Sequence, residues 1–361
     1  MRLFLVLAGC LSAVPCLWSQ VVGGGMPARS TSSTAELPSA QLVFGEPKLD
    51  SPLQLPSTVM DGPPTCGPDG RTFIEFMTPP PMYNNRAVYS ISPSSKLVSY
   101  RIDQINGLSD EYIASFDPGV TGPVFLLRAI AAGQAAHDRH FYLAIFTYDG
   151  ELRRINKLQL PLEPIKVAQL QDDEYLILGA DMAEGKARFV IIDSTGTILR
   201  DLDNEGVTLS EERVLTMLSS IDAVGIKPSA LPAAQRVPAA LSLFRPIHSQ
   251  RGLLILEPGR DSRIVELLHS GEIRIVRLLL PDNQIADSII ADRGSWFVRS
   301  FLRDSDTVAS IYQIDPDTGN AIRRVNTSGV PPTSIACPTD SGFVGIRWIS
   351  HKPYLIHGEI Q

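Results

Sequence analysis

The hydrophobic pattern of this chain repeats one simple unit. Five times an apolar run of about four residues meets a tight turn, and a second apolar run follows at once. These segments cover residues 88–98, 143–152, 189–199, 265–275 and 311–322. Short apolar runs on both sides of a tight turn predict β-hairpins. Four of the five turns carry glycine where a short hairpin loop needs a positive φ.

The spacing of these hairpins is nearly regular. Their turns lie at Ser95, Gly150, Gly196, Gly271 and Gly319, which are 55, 46, 75 and 48 residues apart. A near-period in this range is typical of stacked blades or repeat arrays. A further strand pair precedes each hairpin, so the pattern predicts six units of four short antiparallel strands. We therefore expect an all-β fold, a six-bladed β-propeller, with a seven-bladed ring as the alternative.

The last unit of the repeat is incomplete. Only 24 residues follow Cys337, which is enough for the remaining strands of the unit except a fourth. The segment 41–44 is the one plausible strand ahead of the first unit, so we expect it to complete the last blade and close the ring. Such closure removes the exposed sheet edge that an open array would leave.

One step of the repeat is too long by roughly half a blade. The excess lies within 204–236, and we assign 206–234 as an insertion between the third and fourth blades. Residues 208–211 match a capping box and apolar residues follow at helical spacing, which predicts a helix over 209–221. A return marked by Pro228 and Pro232 follows the helix, so the insertion as a whole is expected to be helical.

The N-terminal end has the features of a secretory signal. In residues 1–20 Arg2 is the only charged side chain and an apolar stretch follows it, which predicts a signal peptide. A lipid anchor at Cys10, in a Leu-Ala-Gly-Cys run, is the alternative. Residues 21–39 have the composition of a flexible linker, and 40–361 are assigned to the propeller. We expect a secreted or periplasmic protein, with no apolar membrane span after Trp18.

The charge and composition of the chain argue against some classes of binding partner. The chain has a formal net charge of −7, with both signs scattered along it. This argues against nucleic acid as the main partner, and we expect a monomer that binds a protein or a cell-envelope component. No cofactor is expected. The chain contains no G-x-S-x-G and no H-E-x-x-H motif, and the histidines at 137 and 140 lack an identifiable third metal ligand.

Cys66 and Cys337 occupy similar positions in the first and last units. Those units become neighbours when a ring closes, so the two cysteines can form a disulfide across the seam in an oxidising compartment. The alternative is two small buried residues at a repeated core position.

Two turns resemble those of known propeller families. Residues 66–71, Cys-Gly-Pro-Asp-Gly-Arg, resemble the S-P-D-G turn of TolB-like propellers. Residues 314–320, Ile-Asp-Pro-Asp-Thr-Gly-Asn, resemble the I-D-P-x-T-G-x hairpin of YncE-like propellers. The resemblance implies a blade turn and carries no functional residue with it.

Long loops on one face of the predicted ring mark where binding is expected. In a four-stranded blade, the longer connections of this chain fall on the face opposite the tight repeated turns. We therefore predict partner binding through that loop-rich face, and a lactonase-like hydrolase that uses the central channel is the alternative function. The candidate binding residues are Tyr83, Asn84, His137, Arg139, Arg260 and His351.

Overall fold

The protein is all-β with a propeller arrangement of its sheets. The computed structural model describes residues 37–47, 53, 59–60, 64–77, 86–135, 138–220, 231–259, 261–281, 284–292, 294–302, 305–328, 334–350 and 352–361. Within these ranges the strands form five sheets.

The first sheet is built from early strands, but the first strand of the chain is not among them. That strand, β1 (Ser39–Phe44), joins the last sheet. The first sheet consists of β2 (Val59–Met60), β3 (Thr65–Cys66), β4 (Thr72–Met77), β5 (Arg86–Ile91) and β6 (Leu97–Tyr100). Both β2 and β3 pair with β4, which pairs with β5, and β6 is the outer strand.

The next three sheets follow chain order, each with four antiparallel strands. One sheet contains β7 (Leu108–Asp117), β8 (Val124–Ala131), β9 (Arg139–Phe146) and β10 (Leu152–Lys157). Another contains β11 (Glu163–Gln171), β12 (Glu174–Asp181), β13 (Lys186–Asp193) and β14 (Ile198–Asp201). The third contains β15 (Arg245–Ser249), β16 (Gly252–Glu257), β17 (Arg263–Leu268) and β18 (Ile273–Arg277).

The last sheet has eight strands in the order β19-β20-β21-β22-β1-β25-β24-β23. Its strands besides β1 are β19 (Gln284–Asp292), β20 (Ser295–Leu302), β21 (Ser305–Ile314), β22 (Ala321–Ser328), β23 (Ile335–Pro338), β24 (Gly342–Ile349) and β25 (Lys352–Ile360). The N-terminal strand pairs antiparallel with β25, as the incomplete last unit led us to expect. It also pairs parallel with β22, so one continuous sheet replaces the two separate sheets that the repeat predicted.

Burial explains why the middle strands are so apolar. All six residues of β16 are buried, and so are most residues of β8, whereas the outer strand β10 is largely exposed. A middle strand loses solvent on both faces because neighbouring sheets pack against both sides of its own sheet. The first strands of the units contact one another in sequence, from β7 to β11, β15, β19, β23 and β3. The sheets therefore surround a common axis.

The five predicted hairpins are confirmed by their strand pairings. At the tips, Gly150, Gly196, Gly271 and Gly319 have φ between 74° and 90°. In the one turn without glycine, Ser95 itself takes a left-handed φ of 66°. A Cβ at Gly319 would lie 2.0 Å from the Arg277 carbonyl oxygen, so that turn requires glycine for space as well as for conformation.

The long step of the repeat contains two helices. Helix α1 (Glu211–Ser220) lies within the predicted range, and its first turn is capped by the Ser210 hydroxyl, which accepts a hydrogen bond from the Arg213 amide. Helix α2 (Ala233–Ser242) was not predicted and begins at the end of the proline-marked return. Pro232 precedes its first turn, where a missing N–H removes no helical bond, so this proline permits a helix rather than preventing one. Helix α2 packs beside β11, β12 and β13, and helix α1 packs against α2 and contributes Val214, Met217 and Leu218 to the same core.

Candidate functional site

Three buried polar side chains from three sheets meet near the axis. We call the end of the sheets with the tight hairpin turns the turn face, and the opposite end the loop face. At the turn face, Asp117 ends β7, Gln169 lies near the end of β11 and His248 near the end of β15. Asp117 and Gln169 are each 1% exposed. We call these three residues the polar node.

The Asp117 carboxylate is the centre of the polar node. Its Oδ2 accepts hydrogen bonds from the backbone amide of Gly119 at 3.0 Å, from the backbone amide of Gln169 at 2.9 Å and from His248 Nε2 at 2.8 Å. These donors come from the β7–β8 turn, from β11 and from β15. One carboxylate oxygen therefore joins three successive sheets, and 131 residues separate it from its histidine.

Gln169 extends the polar node into the β7–β8 turn. Its Oε1 accepts from the Val120 amide at 2.6 Å and the Thr121 amide at 3.3 Å, while its Nε2 donates to Thr121 Oγ1 at 3.3 Å. A buried amide whose donor and acceptor are both used is stabilising, whereas an unpaired one would be costly. The turn is thereby held against the neighbouring sheet.

Tyr148 ties the same turn to the first sheet. Its hydroxyl donates to the Gly119 carbonyl oxygen at 2.8 Å, and the Arg71 guanidinium lies 5.0 Å from the centre of its ring. Burial, reinforced by the Asp69 and Asp117 carboxylates, raises the pKa of Tyr148 above its ordinary value, so the hydroxyl stays a donor. Polar contacts at the turn face therefore run from the first sheet through the next three.

A disulfide connects the first sheet to the last. Cys66 in β3 and Cys337 in β23 are joined, with their Cα atoms 4.9 Å apart and 271 residues between them. Cys337 is fully buried and Cys66 is half-buried. The sequence placed these cysteines at equivalent positions of neighbouring units, and the structure places them across the seam between those units.

A cavity of about 500 Å³ opens at the turn face on the side away from the polar node's first two strands. Its walls come from β3, β15, β19 and β23 and from the turns that follow them. The apolar lining includes Ile247, Ile289, Ile290, Ala291, Trp296, Ile335 and Ala336. The cavity therefore lies along four neighbouring inner strands, from β15 through β19 and β23 to β3, and both the disulfide and His248 border it.

The charged lining of the cavity is dominated by arginine. Arg245, Arg251 and Asp340 line it, together with His248. The Arg251 guanidinium lies 3.4 Å from the Glu266 carboxylate and 3.6 Å from that of Asp317, so its charge is compensated. Among the described residues Arg245 has no carboxylate partner, and its guanidinium donates a hydrogen bond to the Ser242 carbonyl oxygen at 3.3 Å.

The loop face has a smaller cavity, of about 220 Å³, beside helix α1. Arg213 from the helix and Arg263 from β17 both pair with the buried carboxylate of Glu257. This pairing fixes the helix against the sheet. The smaller cavity is lined by residues of the helix and of the β16–β17 loop.

Most of the sequence-predicted binding residues lie outside the described part of the chain. This applies to Tyr83, Asn84, His137, Arg260 and His351. Arg139 is described, begins β9 at the loop face and forms an ion pair with Asp110 of β7. The loop-face site therefore stays a prediction. The polar node was not anticipated, since His248 is an isolated histidine in the sequence, although the Asp-Pro-Gly at 117–119 is a recognisable turn signal.

The polar node contains two titratable side chains, Asp117 and His248. Across the described ranges, no three or more His, Cys, Asp or Glu side chains are grouped so as to hold a metal ion. In the same ranges, neither helix has the length and apolar character needed to cross a bilayer.

Comparison with known proteins finds likeness to solved structures only, at low sequence identity. The sequence matches no protein-family model and no curated protein. Among solved structures, it is similar to the β-propeller domain of the Trilobed protease from Pyrococcus furiosus, at 8% identity and a TM-score of 0.41, covering 84% of this chain and 96% of that one. It is also similar to a protein of unknown function from Bacteroides caccae, at 11% identity and a TM-score of 0.40, covering 74% and 82%.

A third similar structure is a longer chain. This is Pyrococcus horikoshii acylaminoacyl peptidase, at 9% identity and a TM-score of 0.42, where the match covers 84% of this chain and 52% of that one. The chain spans about half the length of that peptidase. The arrangement of its own sheets makes the protein an all-β propeller, and its activity has to be argued from its own site.

Proposed function

We propose that the chain is a six-bladed propeller that acts by binding a small, largely apolar ligand in the turn-face cavity. The observation that carries the proposal is the cavity itself, about 500 Å³ in volume and lined by four strands of the ring. Ligand pockets of proteins typically have volumes of about 300–1,000 Å³, mainly apolar walls and a few polar groups. The volume and the mainly apolar walls of the cavity fit this description, and ten of its lining residues are polar.

The blade count rests on the strands that surround the axis. β3, β7, β11, β15, β19 and β23 each begin a unit, and contacts between neighbours of this set run from β7 through β11, β15, β19 and β23 to β3. In this interpretation the eight-stranded sheet is two blades, β19–β22 and β23–β25 with β1, joined at their outer edges. The likeness of residues 66–71 and 314–320 to TolB-like and YncE-like turns belongs to the same proposal.

The compartment is part of the proposal. A signal peptide over residues 1–20 and a disulfide between Cys66 and Cys337 both suit a secreted or periplasmic protein. Disulfides persist in oxidising compartments and are rare in the cytosol. We retain the expectation of a monomer.

The binding test uses N-phenyl-1-naphthylamine, an uncharged apolar dye whose fluorescence rises on leaving water. We expect one dye per protein molecule and energy transfer to it from Trp296, which lines the cavity. Ser288 is half-buried in the cavity wall, so Ser288→Phe fills space there. We expect this substitution to raise the Kd at least about tenfold, which corresponds to about 1.4 kcal/mol.

Matched variants separate cavity binding from surface adsorption. Ser99→Phe makes the same change on the outer strand β6, away from the cavity, and should leave the Kd unchanged. Trp296→Phe should abolish most energy transfer, whereas Trp348→Phe, an exposed position on β24, should not. Equal dye binding by Ser288→Phe and Ser99→Phe would overturn the proposal.

A second candidate function is the binding of a protein or envelope partner at the loop face. The observation that favours it is Leu215, an apolar side chain of α1 that is 37% exposed. The ion pair between Arg213 and Glu257 holds this helix against the sheet. Deleting the insertion is a poor test, because Val214, Met217 and Leu218 belong to the core. Leu215→Glu is the better variant, with Ile198→Glu on an outer strand as its control. A partner isolated from envelope extract should lose affinity for the first variant only.

A further inference from the structure

The geometry points to an anion-binding subsite at Arg245, at the inner end of the turn-face cavity, which selects ligands with an apolar body and one carboxylate or sulfonate group. This inference rests on the proposed function, because it specifies the chemistry of the ligand that the same cavity would hold. It depends on the position, the pairing and the surroundings of Arg245.

Arg245 begins the inner strand β15. β15 runs from Arg245 to Ser249 and reaches the turn face at its Ser249 end. Four residues of extended strand span about 13 Å at 3.3 Å per residue, so the two ends of the strand lie at different depths. Both residues line the cavity. Arg245 therefore lies at the loop-face end of the cavity, the end farthest from the turn face.

The pairing of Arg245 leaves its charge available. Arg251, the other arginine of the cavity, is close to Glu266 and Asp317, and His248 is held by Asp117. Within the described ranges, Arg245 forms no ion pair, and its Nη1 donates to the last residue of helix α2, Ser242. A guanidinium has five N–H donors, so this one contact leaves capacity for a bidentate anion.

The surroundings of Arg245 favour a ligand that is apolar elsewhere. Ile247 lies two residues further along the same strand, and Ile289 and Ile335 come from the facing strands of the cavity wall. The lining carboxylate, Asp340, belongs to the β23–β24 turn at the mouth. A ligand with its anion inward thus avoids the one acidic side chain of the lining and covers apolar surface along its length.

The test compares two dyes that differ by one sulfonate. These are N-phenyl-1-naphthylamine and 8-anilino-1-naphthalenesulfonate, titrated against the full chain. Arg245→Gln is expected to raise the Kd of the sulfonate dye about tenfold, the low end for a hydrogen bond to a charged group. The Kd of the uncharged dye should change less than about twofold. Arg245→Lys should recover part of the sulfonate affinity, because it restores the charge without the planar fork.

Controls keep the outcomes separate. Arg153→Gln removes the same charge from the exposed outer strand β10 and should leave both dyes unaffected. If both dyes bind the wild type and Arg245→Gln weakens them equally or not at all, the anion subsite is overturned while the cavity proposal stands. If neither dye binds the wild type, the proposed function fails and the subsite fails with it. Circular dichroism of Arg245→Lys and Arg245→Gln shows whether the variants are folded.

Discussion

The two sides of the ring axis are built differently at the turn face. On one side, β7, β11 and β15 are drawn together by Asp117, Gln169 and His248, whose buried polar atoms bond across three sheets. On the other side, β19, β23 and β3, together with one face of β15, line a cavity of about 500 Å³ with mainly apolar walls. The first side is closed by hydrogen bonds, and the second is held at its seam by a covalent bond.

This difference indicates how the sheets can surround a cavity without collapsing into it. Close-packed protein interiors have few spaces larger than a water molecule, so a cavity of this size needs walls that do not collapse into it. The polar node fixes three sheets, and the disulfide fixes the two that meet at the seam. The cavity lies between these two attachments, where the strands supply apolar side chains without bonding across the axis.

Breaking the disulfide should have the largest effect on stability. Its loss in a Cys66→Ala, Cys337→Ala double variant is expected to lower the free energy of unfolding by about 4 to 5 kcal/mol, because the bond closes a very long unfolded loop. Urea titration of the variant and of the wild type, each with and without dithiothreitol, measures this change. Alanine is preferred to serine because Cys337 is fully buried.

The reductant supplies an internal control for that prediction. Dithiothreitol should shift the wild type toward the double variant and leave the double variant itself unchanged. The cavity should lose dye binding in the reduced protein, since β3 and β23 form two of its walls. Identical urea midpoints for wild type and variant would contradict the view that the seam depends on this bond.

Removing the centre of the polar node should have the next largest effect. Asp117→Ala leaves the Gly119 amide, the Gln169 amide and His248 Nε2 without their acceptor, and we expect a loss of about 3 kcal/mol. Asp117→Asn should cost only about 1 kcal/mol, because all three donors reach the same oxygen and an amide oxygen can replace it. Urea unfolding measures both. Equal losses for the two variants would show that the three hydrogen bonds are not what stabilises this side.

We call the side with the polar node the closed half and the side with the cavity the open half. In both halves most strands could be predicted from the sequence, but the bonds between distant residues could not. The hairpin turns were predictable because positive φ restricts the residue type, and Gly150, Gly196 and Gly271 have it. Ser95 shows the limit, since a non-glycine residue adopts the same conformation there. Local signals of this kind depend on neighbours in the chain, and a sequence displays those directly.

Contacts between distant segments were accessible only where the repeat supplied a register. Cys66 and Cys337 hold equivalent positions in the first and last units, which allowed a disulfide to be considered. Asp117 and His248 lie in different units at unrelated positions of their motifs, and no periodicity links them. The second pairing of β1, to β22, was missed for a similar reason, because one strand can satisfy two neighbours and the repeat required only one.

We expect the smallest effects on stability from removing single hydroxyl groups, one on each side of the axis. Thr121 Oγ1 accepts from Gln169 Nε2 at 3.3 Å in the closed half, so Thr121→Val should cost about 0.5 to 1 kcal/mol. Ser288 lines the cavity and its hydroxyl has no hydrogen-bond partner among the described residues. Ser288→Ala should therefore stay within about 0.5 kcal/mol of the wild type. Paired urea titrations decide, and a larger loss for Ser288→Ala than for Thr121→Val would mean that the open half also depends on buried polar contacts.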